Sequence, residues 1–238
     1  MNVIYEPSGK AKEYADLAVN LYKGCTHGCR YCFGAKTPWV SADDYYKTAN
    51  PKKDVISKLQ KDCRKLNGDI PEILLSFVGD VYQHAEMDLG LTRQAIKILI
   101  ENNLPFTVLT KGGTRAVRDF DLLEEYDRGR FGTTLVFTEQ KDADHWEPGA
   151  ATITDRIKAI QTAYDRGIKT WVSLEPVIDP DQALQIIRDL HPIVEHWKVG
   201  KVNYHETSVD WIFFREEVKD LFNDLGADYY LKNSLTKL

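Results

Sequence analysis

Three of the four cysteines in this 238-residue chain crowd into one segment, Gly24-Cys25-Thr26-His27-Gly28-Cys29-Arg30-Tyr31-Cys32-Phe33. The spacing is C-x3-C-x2-C, and it follows directly on the short apolar run Leu17 to Leu21. Cysteine thiolates hold iron–sulfur clusters, and an ordinary [4Fe–4S] cluster takes four of them. Three clustered ligands leave one iron open to a substrate or cofactor, an arrangement for chemistry rather than electron storage. Zinc is the competing reading, because the trio with Cys63, His27 or His84 could close a tetrahedral shell. Structural zinc sites more often use paired C-x2-C knuckles, and the chain has no second knuckle. Cys63 falls in a polar-rich helical pattern, Lys53 to Leu66, and reads as a packing residue.

Few cysteines, three of them needed as thiolates, suit a reducing cytoplasm rather than a disulfide framework. The segment Met1-Asn2-Val3-Ile4-Tyr5-Glu6-Pro7 lacks the basic and apolar regions of a signal peptide. No apolar run reaches membrane-spanning length. The formal net charge of -5 argues against broad nucleic-acid binding through a basic surface, while leaving room for a local basic groove. One domain spanning 1–238 is the expectation at this length. Without heptads or repeats, so is a monomer.

Short apolar, β-branched runs alternate with helical patterns. Strands are expected at Leu17 to Leu21, Ile73 to Phe77, Phe106 to Leu109, Thr133 to Phe137, Thr170 to Leu174 and Trp197 to Val199. Helices are expected at Lys53 to Leu66, Thr92 to Glu101, Thr114 to Tyr126, Thr154 to Arg166 and Asp181 to Leu190. Ile96, Leu99 and Ile100 show the i, i+3, i+4 spacing of a buried helical face. Gly167 reads as a helix stop, and Asp181 after Pro180 as part of a helix start. Near-continuously apolar strands suit a parallel sheet covered by helices. The whole is an α/β chain of six βα units, a partial (β/α)6 TIM-like barrel. Its core spans about 17–203, and an amphipathic helix at 211–225 packs on it, followed by an edge strand or loop at Asp228 to Lys232.

In parallel barrels, active groups gather at the carboxyl ends of strands. The cysteines follow the first expected strand. Val78-Gly79-Asp80-Val81-Tyr82-Gln83 follows the second, Thr110-Lys111-Gly112 the third, Ser173-Leu174-Glu175-Pro176 the fifth and Gly200-Lys201-Val202-Asn203 the sixth.

The triple-cysteine motif with Tyr31 before its last cysteine resembles the radical S-adenosylmethionine (SAM) superfamily. Asp80-Val81-Tyr82-Gln83 with Glu86, Leu91-Thr92-Arg93, Thr110-Lys111, Arg118-Asp119, Leu122-Leu123 and Tyr229 to Leu235 resemble its spore photoproduct lyase-like branch. The resemblance implies a [4Fe–4S] cluster on Cys25, Cys29 and Cys32, with SAM chelating the fourth iron. Reductive cleavage of SAM would then give a 5′-deoxyadenosyl radical that abstracts hydrogen from a substrate. It further implies Tyr31 beside the adenine, the backbone at Gly79 and Asp80 near the SAM amino group, and Lys111 on its carboxylate. Ser173 and Glu175 would touch ribose or substrate. Against these stand structural readings: Asp80 a loop brace, Lys111 a solvated turn residue, Glu175 an ion-pair partner of Arg156. Tyr22, Phe33, Trp39, Tyr82 and Tyr204 could stack on bases or simply pack. His27 could tune the cluster or lie on the surface. Lys23, Arg30 and Lys36 could dock an acidic flavodoxin- or ferredoxin-type electron donor, or form a solvated face.

The lyase returns hydrogen through a cysteine near its second-strand loop, whereas Ser76-Phe77-Val78-Gly79-Asp80 holds no thiol. Photoproduct repair is therefore disfavoured, and Tyr82 or Tyr204 becomes the candidate for hydrogen return. A nucleic-acid pyrimidine or modified base is the favoured substrate by resemblance. A small metabolite, a peptide or a protein side chain is the alternative, and a zinc- or cluster-bearing binding module without turnover is a third reading.

Overall fold

The computed structural model describes residues 2–36, 41–66, 69–203 and 205–238. Trp39 and Tyr204 fall outside them. The elements run β1 (Ile4–Tyr5), β2 (Leu17–Val19), β3 (Tyr22–Lys23), α1 (Ala42–Lys47), β4 (Asn50–Pro51), α2 (Val55–Cys63), β5 (Ile73–Leu75), α3 (Glu86–Leu89) and α4 (Leu91–Glu101). They continue with β6 (Phe106–Thr110), α5 (Phe120–Glu124), β7 (Gly129–Thr134), α6 (Gln140–Trp146), α7 (Ile153–Asp165) and β8 (Lys169–Val177). The chain closes with α8 (Pro180–Leu190), β9 (His196–Lys201), α9 (Trp211–Leu225), β10 (Asp228–Leu231) and α10 (Asn233–Thr236).

One sheet carries the strands in the order β1-β2-β5-β6-β7-β8-β9-β10. Every pairing from β2 to β10 is parallel, and β1 adds antiparallel to β2. The edges β1 and β10 do not pair, so the barrel is partial. The six expected parallel strands are present. Asp228 to Leu231, left open between strand and loop, is a seventh parallel strand on β9. β3 and β4 pair antiparallel as a separate two-stranded ribbon.

Alternation along the strands separates two apolar layers. Val19, Ile73, Leu75, Phe106, Val108, Phe131, Val172, Leu174, Trp197 and Val199 face the helices in the main core. Ala18, Leu74 and Trp171 face the other way, into the barrel lumen with Tyr14, Phe77 and Leu109. By the same period Lys111, Glu175 and Lys232 turn toward the lumen just beyond the strand centres.

Helix boundaries follow local chemistry. Asp179, not Asp181, caps α8 by accepting from the Gln182 amide at 3.2 Å, with Pro180 at the first helical position. Thr152 caps α7 through the Asp155 amide. Gly167, at φ +72°, ends it with the Ile168 amide donating to the Ala163 carbonyl and its own amide to that of Tyr164.

Two expectations shift. The fourth strand is Gly129–Thr134 rather than Thr133 to Phe137, because Leu135, Val136 and Phe137 bury as loop residues beyond the sheet. The helix expected from Thr114 is first a 3₁₀ segment, Gly113–Asp119, and α-helical only from Phe120.

Gly132 on β7 is the register partner of Trp171 on β8. A Cβ there would meet the indole at 2.2 Å. Gly132→Ala is expected to destabilise the protein by roughly 1–3 kcal/mol through overpacking. A drop of the thermal midpoint by about 2–4 °C per kcal/mol checks it, and an unchanged midpoint would count against this packing.

Candidate active site

The cysteine loop is held from three sides. The Cys25 amide donates to the Tyr45 carbonyl at 2.8 Å, and the Tyr46 hydroxyl to the Cys29 carbonyl at 2.9 Å, both from α1. From the β5 side, the Gln83 carboxamide accepts from the Thr26 amide at 3.0 Å. Beyond α6, the Arg30 amide donates to the Trp146 carbonyl and the Gly149 amide to the His27 carbonyl, both at 2.8 Å. Cys25, Cys29 and Cys32 all remain free thiols.

Burial, with Asp80 and Cys32 nearby, pushes the Cys25 thiol up to about 12. Burial likewise raises Cys29, against the lowering influence of Lys111. Thiols held neutral and close enough to repel one another as thiolates are the donor set of a cationic centre, which would deprotonate them on binding. A cluster spreads its thiolates over separate irons, and three thiols on one loop are a donor set that fits a [4Fe–4S] cluster. Cys63 lies within the main core and His84 is exposed, so neither completes a zinc shell with the trio.

Asp80 braces the strand ends. Its carboxylate accepts from the Tyr82 amide (2.8 Å), the Thr110 hydroxyl (2.6 Å) and the Lys111 amide (2.7 Å), and pairs with His27 Nδ1 at 3.4 Å. Burial alone would raise this carboxyl; His27 and the hydrogen bonds outweigh it and hold it low. Gly79 before it adopts φ +80°, and a Cβ there would come within 2.9 Å of the Gly24 carbonyl oxygen. Only glycine lets the two loops approach so closely. His27 is buried, with Nε2 3.4 Å from the Arg115 guanidinium, so it is not a surface residue.

A cavity of about 430 Å³ opens at the carboxyl ends of the strands. Its lining joins Tyr31, Cys32 and Phe33 of the cysteine loop to Ser76, Phe77, Lys111, Tyr14, Glu175 and Lys232. Lys111 stands 5.5 Å from the Tyr31 ring centroid and 4.0 Å from Glu147. Burial alone would lower its ammonium; Cys29, Glu147 and Asp80 reverse the direction to upward. Glu147, itself buried, accepts the Tyr31 hydroxyl and pairs with buried Arg156 at 2.6 Å.

Other expected residues fall elsewhere. Tyr82 is buried outside the cavity and donates to Asp119 at 3.0 Å, a position that removes it from hydrogen transfer. Ser173 is also buried, its hydroxyl 3.0 Å from that of Tyr14, and it does not line the cavity. Glu175 pairs with Lys232 at 2.5 Å, not with Arg156, whose partner is Glu147. Tyr22 donates to Glu86, which also pairs with Arg118. The Glu86, Arg93, Arg118 and Asp119 motif residues thus form a polar network in which half-buried arginines cover two buried carboxylates, outside the cavity. Sequence reasoning missed Glu147, Tyr14 and the cavity role of Lys232. Glu147 had only the signal of an acidic residue before Pro148-Gly149, and Lys232 that of the lumen-facing position after Leu231.

In the lumen, Lys198 donates to the Tyr14 carbonyl at 2.5 Å and stands 5.5 Å from the Trp171 ring. Burial pushes its ammonium down to about 8, Glu72 opposing and Arg130 and Lys232 adding. The unfolded chain keeps that proton to about pH 10.4. Between the two values the unfolded state binds more protons, so this group makes stability rise with pH. Urea midpoints of the native protein should therefore climb relative to those of Lys198→Met from pH 8 to 10. A constant difference would contradict the lowered value.

The radical SAM superfamily model matches residues 19–191. An uncharacterized protein of Methanocaldococcus jannaschii is 28% identical over 168 residues, covering 70% of this chain and 62% of that protein. An uncharacterized protein of Mycobacterium tuberculosis is 28% identical over 167 residues, covering 67% of this chain and 49% of that protein. The chain thus spans about half to three fifths of the length of these relatives. Among solved structures, spore photoproduct lyase with bound AdoMet and dinucleoside spore photoproduct superimposes with a TM-score of 0.71 at 14% identity, covering 95% of this chain and 79% of that one. SuiB of Streptococcus suis bound to S-adenosylmethionine gives a TM-score of 0.62 at 13% identity, covering 90% and 46%. At these identities the structural likeness speaks for the fold. With three cysteine thiols at the first strand end of a partial parallel barrel, and the family match over 19–191, this chain belongs to the radical SAM superfamily, whose cofactors are a [4Fe–4S] cluster and SAM.

Proposed function

We propose that this chain is a radical SAM enzyme that abstracts hydrogen from a nucleic-acid pyrimidine or modified base, in a modification or isomerisation rather than photoproduct repair. The observation that carries this reading is the cavity of about 430 Å³, whose lining brings Cys32, Tyr31 and Lys111 together with Tyr14, Phe33, Phe77 and the Glu175–Lys232 pair. When bound, the cluster supplies the electron that cleaves SAM to a 5′-deoxyadenosyl radical.

The residues of the chain do the rest. The half-buried Lys111 ammonium is a point charge on the cavity wall for a carboxylate. Tyr31, tied through its hydroxyl to Glu147, offers a fixed flat face. Phe33 and Phe77, with ring centroids 5.0 Å apart, give the substrate side a surface on which a base can stack. Spore photoproduct lyase, which shares this fold, has been captured with AdoMet and a dinucleoside spore photoproduct, and that supports the same substrate class. Among the described residues, the cavity lining holds no thiol besides Cys32, which is reserved for the cluster, and this disfavours the repair reaction.

Exposed Lys23, Arg30 and Lys36 flank the cysteine loop and suit an acidic flavodoxin- or ferredoxin-type donor in a reducing cytoplasm. Among the described residues, no helix is long and apolar enough to cross a membrane.

Anaerobically reconstituted protein with SAM and dithionite is expected to form 5′-deoxyadenosine, and Cys29→Ala none. Single-stranded oligonucleotides or modified pyrimidine nucleotides should raise the rate. Stimulation only by peptides or small metabolites would overturn the substrate class, and retention of zinc with no iron uptake would overturn the enzyme. Lys111→Met is expected to weaken SAM binding by about tenfold or more, as for loss of a charged partner. Equilibrium dialysis checks this, and unchanged affinity would remove Lys111 from the carboxylate site.

A further inference from the structure

Three residues from distant parts of the chain meet on the cavity wall away from the cysteines. Tyr14 follows the 3₁₀ turn Gly9–Glu13, Glu175 lies on β8, and Lys232 comes directly after β10. The Tyr14 hydroxyl and the Lys232 ammonium both donate to the same carboxylate oxygen, Glu175 Oε2. Lys232 also stands 3.7 Å from the Tyr14 ring centroid. The cluster is closely fitted: a Cβ on Gly200 would lie 3.0 Å from both Glu175 Cδ and Lys232 Cδ.

The second oxygen, Glu175 Oε1, accepts nothing from the described residues, although the side chain is only 14% exposed. That oxygen is not sealed off from solvent, and because Glu175 lines the cavity it is an open acceptor for whatever enters. Beside that acceptor, Lys232 has further N–H groups to give. An acceptor next to a donor is the complement of an N–H adjacent to a C=O.

Resting on the pyrimidine reading above, we propose that Glu175 Oε1 and Lys232 Nζ read the N–H/C=O edge of an imide or lactam, with Tyr14 as the positioning residue that holds Glu175. Uracil- and thymine-type rings present that edge at N3. The cytosine ring presents an acceptor there, and N3-methylation removes the hydrogen. Apolar ring faces bind any base alike, so the discrimination falls to this pair.

The test uses reconstituted protein saturated with SAM and left unreduced, titrated calorimetrically. The ligands are uridine 5′-monophosphate, its N3-methyl derivative, cytidine 5′-monophosphate, hydantoin and 1,3-dimethylhydantoin. The N–H ligands are expected to bind about tenfold or more tightly than the methylated ones and cytidine monophosphate, the scale of a paired hydrogen-bond readout. In Glu175→Gln, Lys232 retains the amide oxygen and the NH2 faces the cavity, so preference should move toward cytidine monophosphate while SAM affinity stays unchanged. A merely structural Glu175 would weaken every ligand equally.

The proposal is overturned if N3-methylation has no effect, or if none of the ligands binds. It is equally overturned if Glu175→Gln weakens SAM while leaving the discrimination intact, which would assign the carboxylate to the cofactor's ribose. N–H-dependent hydantoin binding with no nucleotide-stimulated 5′-deoxyadenosine would keep this recognition pair and end the nucleic-acid reading. Pyrimidine-stimulated turnover without N–H dependence would do the reverse.

Discussion

Three strand-end loops meet at the Asp80 carboxylate. It gathers two backbone amides and a hydroxyl from the loops after β5 and β6, and it faces His27 from the loop that carries the cysteines. A carboxylate with this many donors is held ionised in a nearly dry setting, and in turn fixes the groups that surround it. The position of Lys111 depends on it directly, since the Lys111 amide is one of the donors. So does the approach of the β5 loop to the cysteine loop, which Gly79 permits through its left-handed backbone.

A second buried carboxylate organises the opposite wall. Glu147 takes the Tyr31 hydroxyl, stands 4.0 Å from Lys111 and is neutralised by Arg156. Removing one partner of such a buried pair leaves an uncompensated charge, which generally costs about 3–5 kcal/mol. The two carboxylates divide the labour: Asp80 fixes backbone, while Glu147 fixes the side chains that face the cavity. The third acidic group, Glu175, differs from both because one of its oxygens remains unengaged.

Much of the barrel was legible in the order of residues. The strands β2, β5, β6, β8 and β9 announced themselves as short β-branched apolar runs, and α9 begins and ends at the expected Trp211 and Leu225. Leu135 to Phe137 misled because burial in a loop and burial in a strand demand the same apolar residues. The motif residues Glu86, Arg93, Arg118 and Asp119 were visible too, but as a polar pattern whose pairing no spacing could disclose. Tyr82 and Ser173 stood at strand ends as expected, yet Tyr82 turns to Asp119 and Ser173 lies beneath Tyr14, so neither lines the cavity. A strand end sets a residue's height in the barrel, whereas the pleat and the following turn set its direction.

Sequence alone determined the chemistry that is local. Three thiols within one short loop can only serve a shared centre, and alternating strand and helix periods can only bury their apolar faces as a helix-covered parallel sheet. Tertiary structure decided which distant polar groups meet. Tyr14, Glu175 and Lys232 come together because β8, β9 and β10 are neighbours in a curved sheet and the segment after β1 folds over their ends. Nothing in the linear order encodes that contact. It follows from sheet curvature and register, which bring residues far apart in the chain within hydrogen-bonding distance.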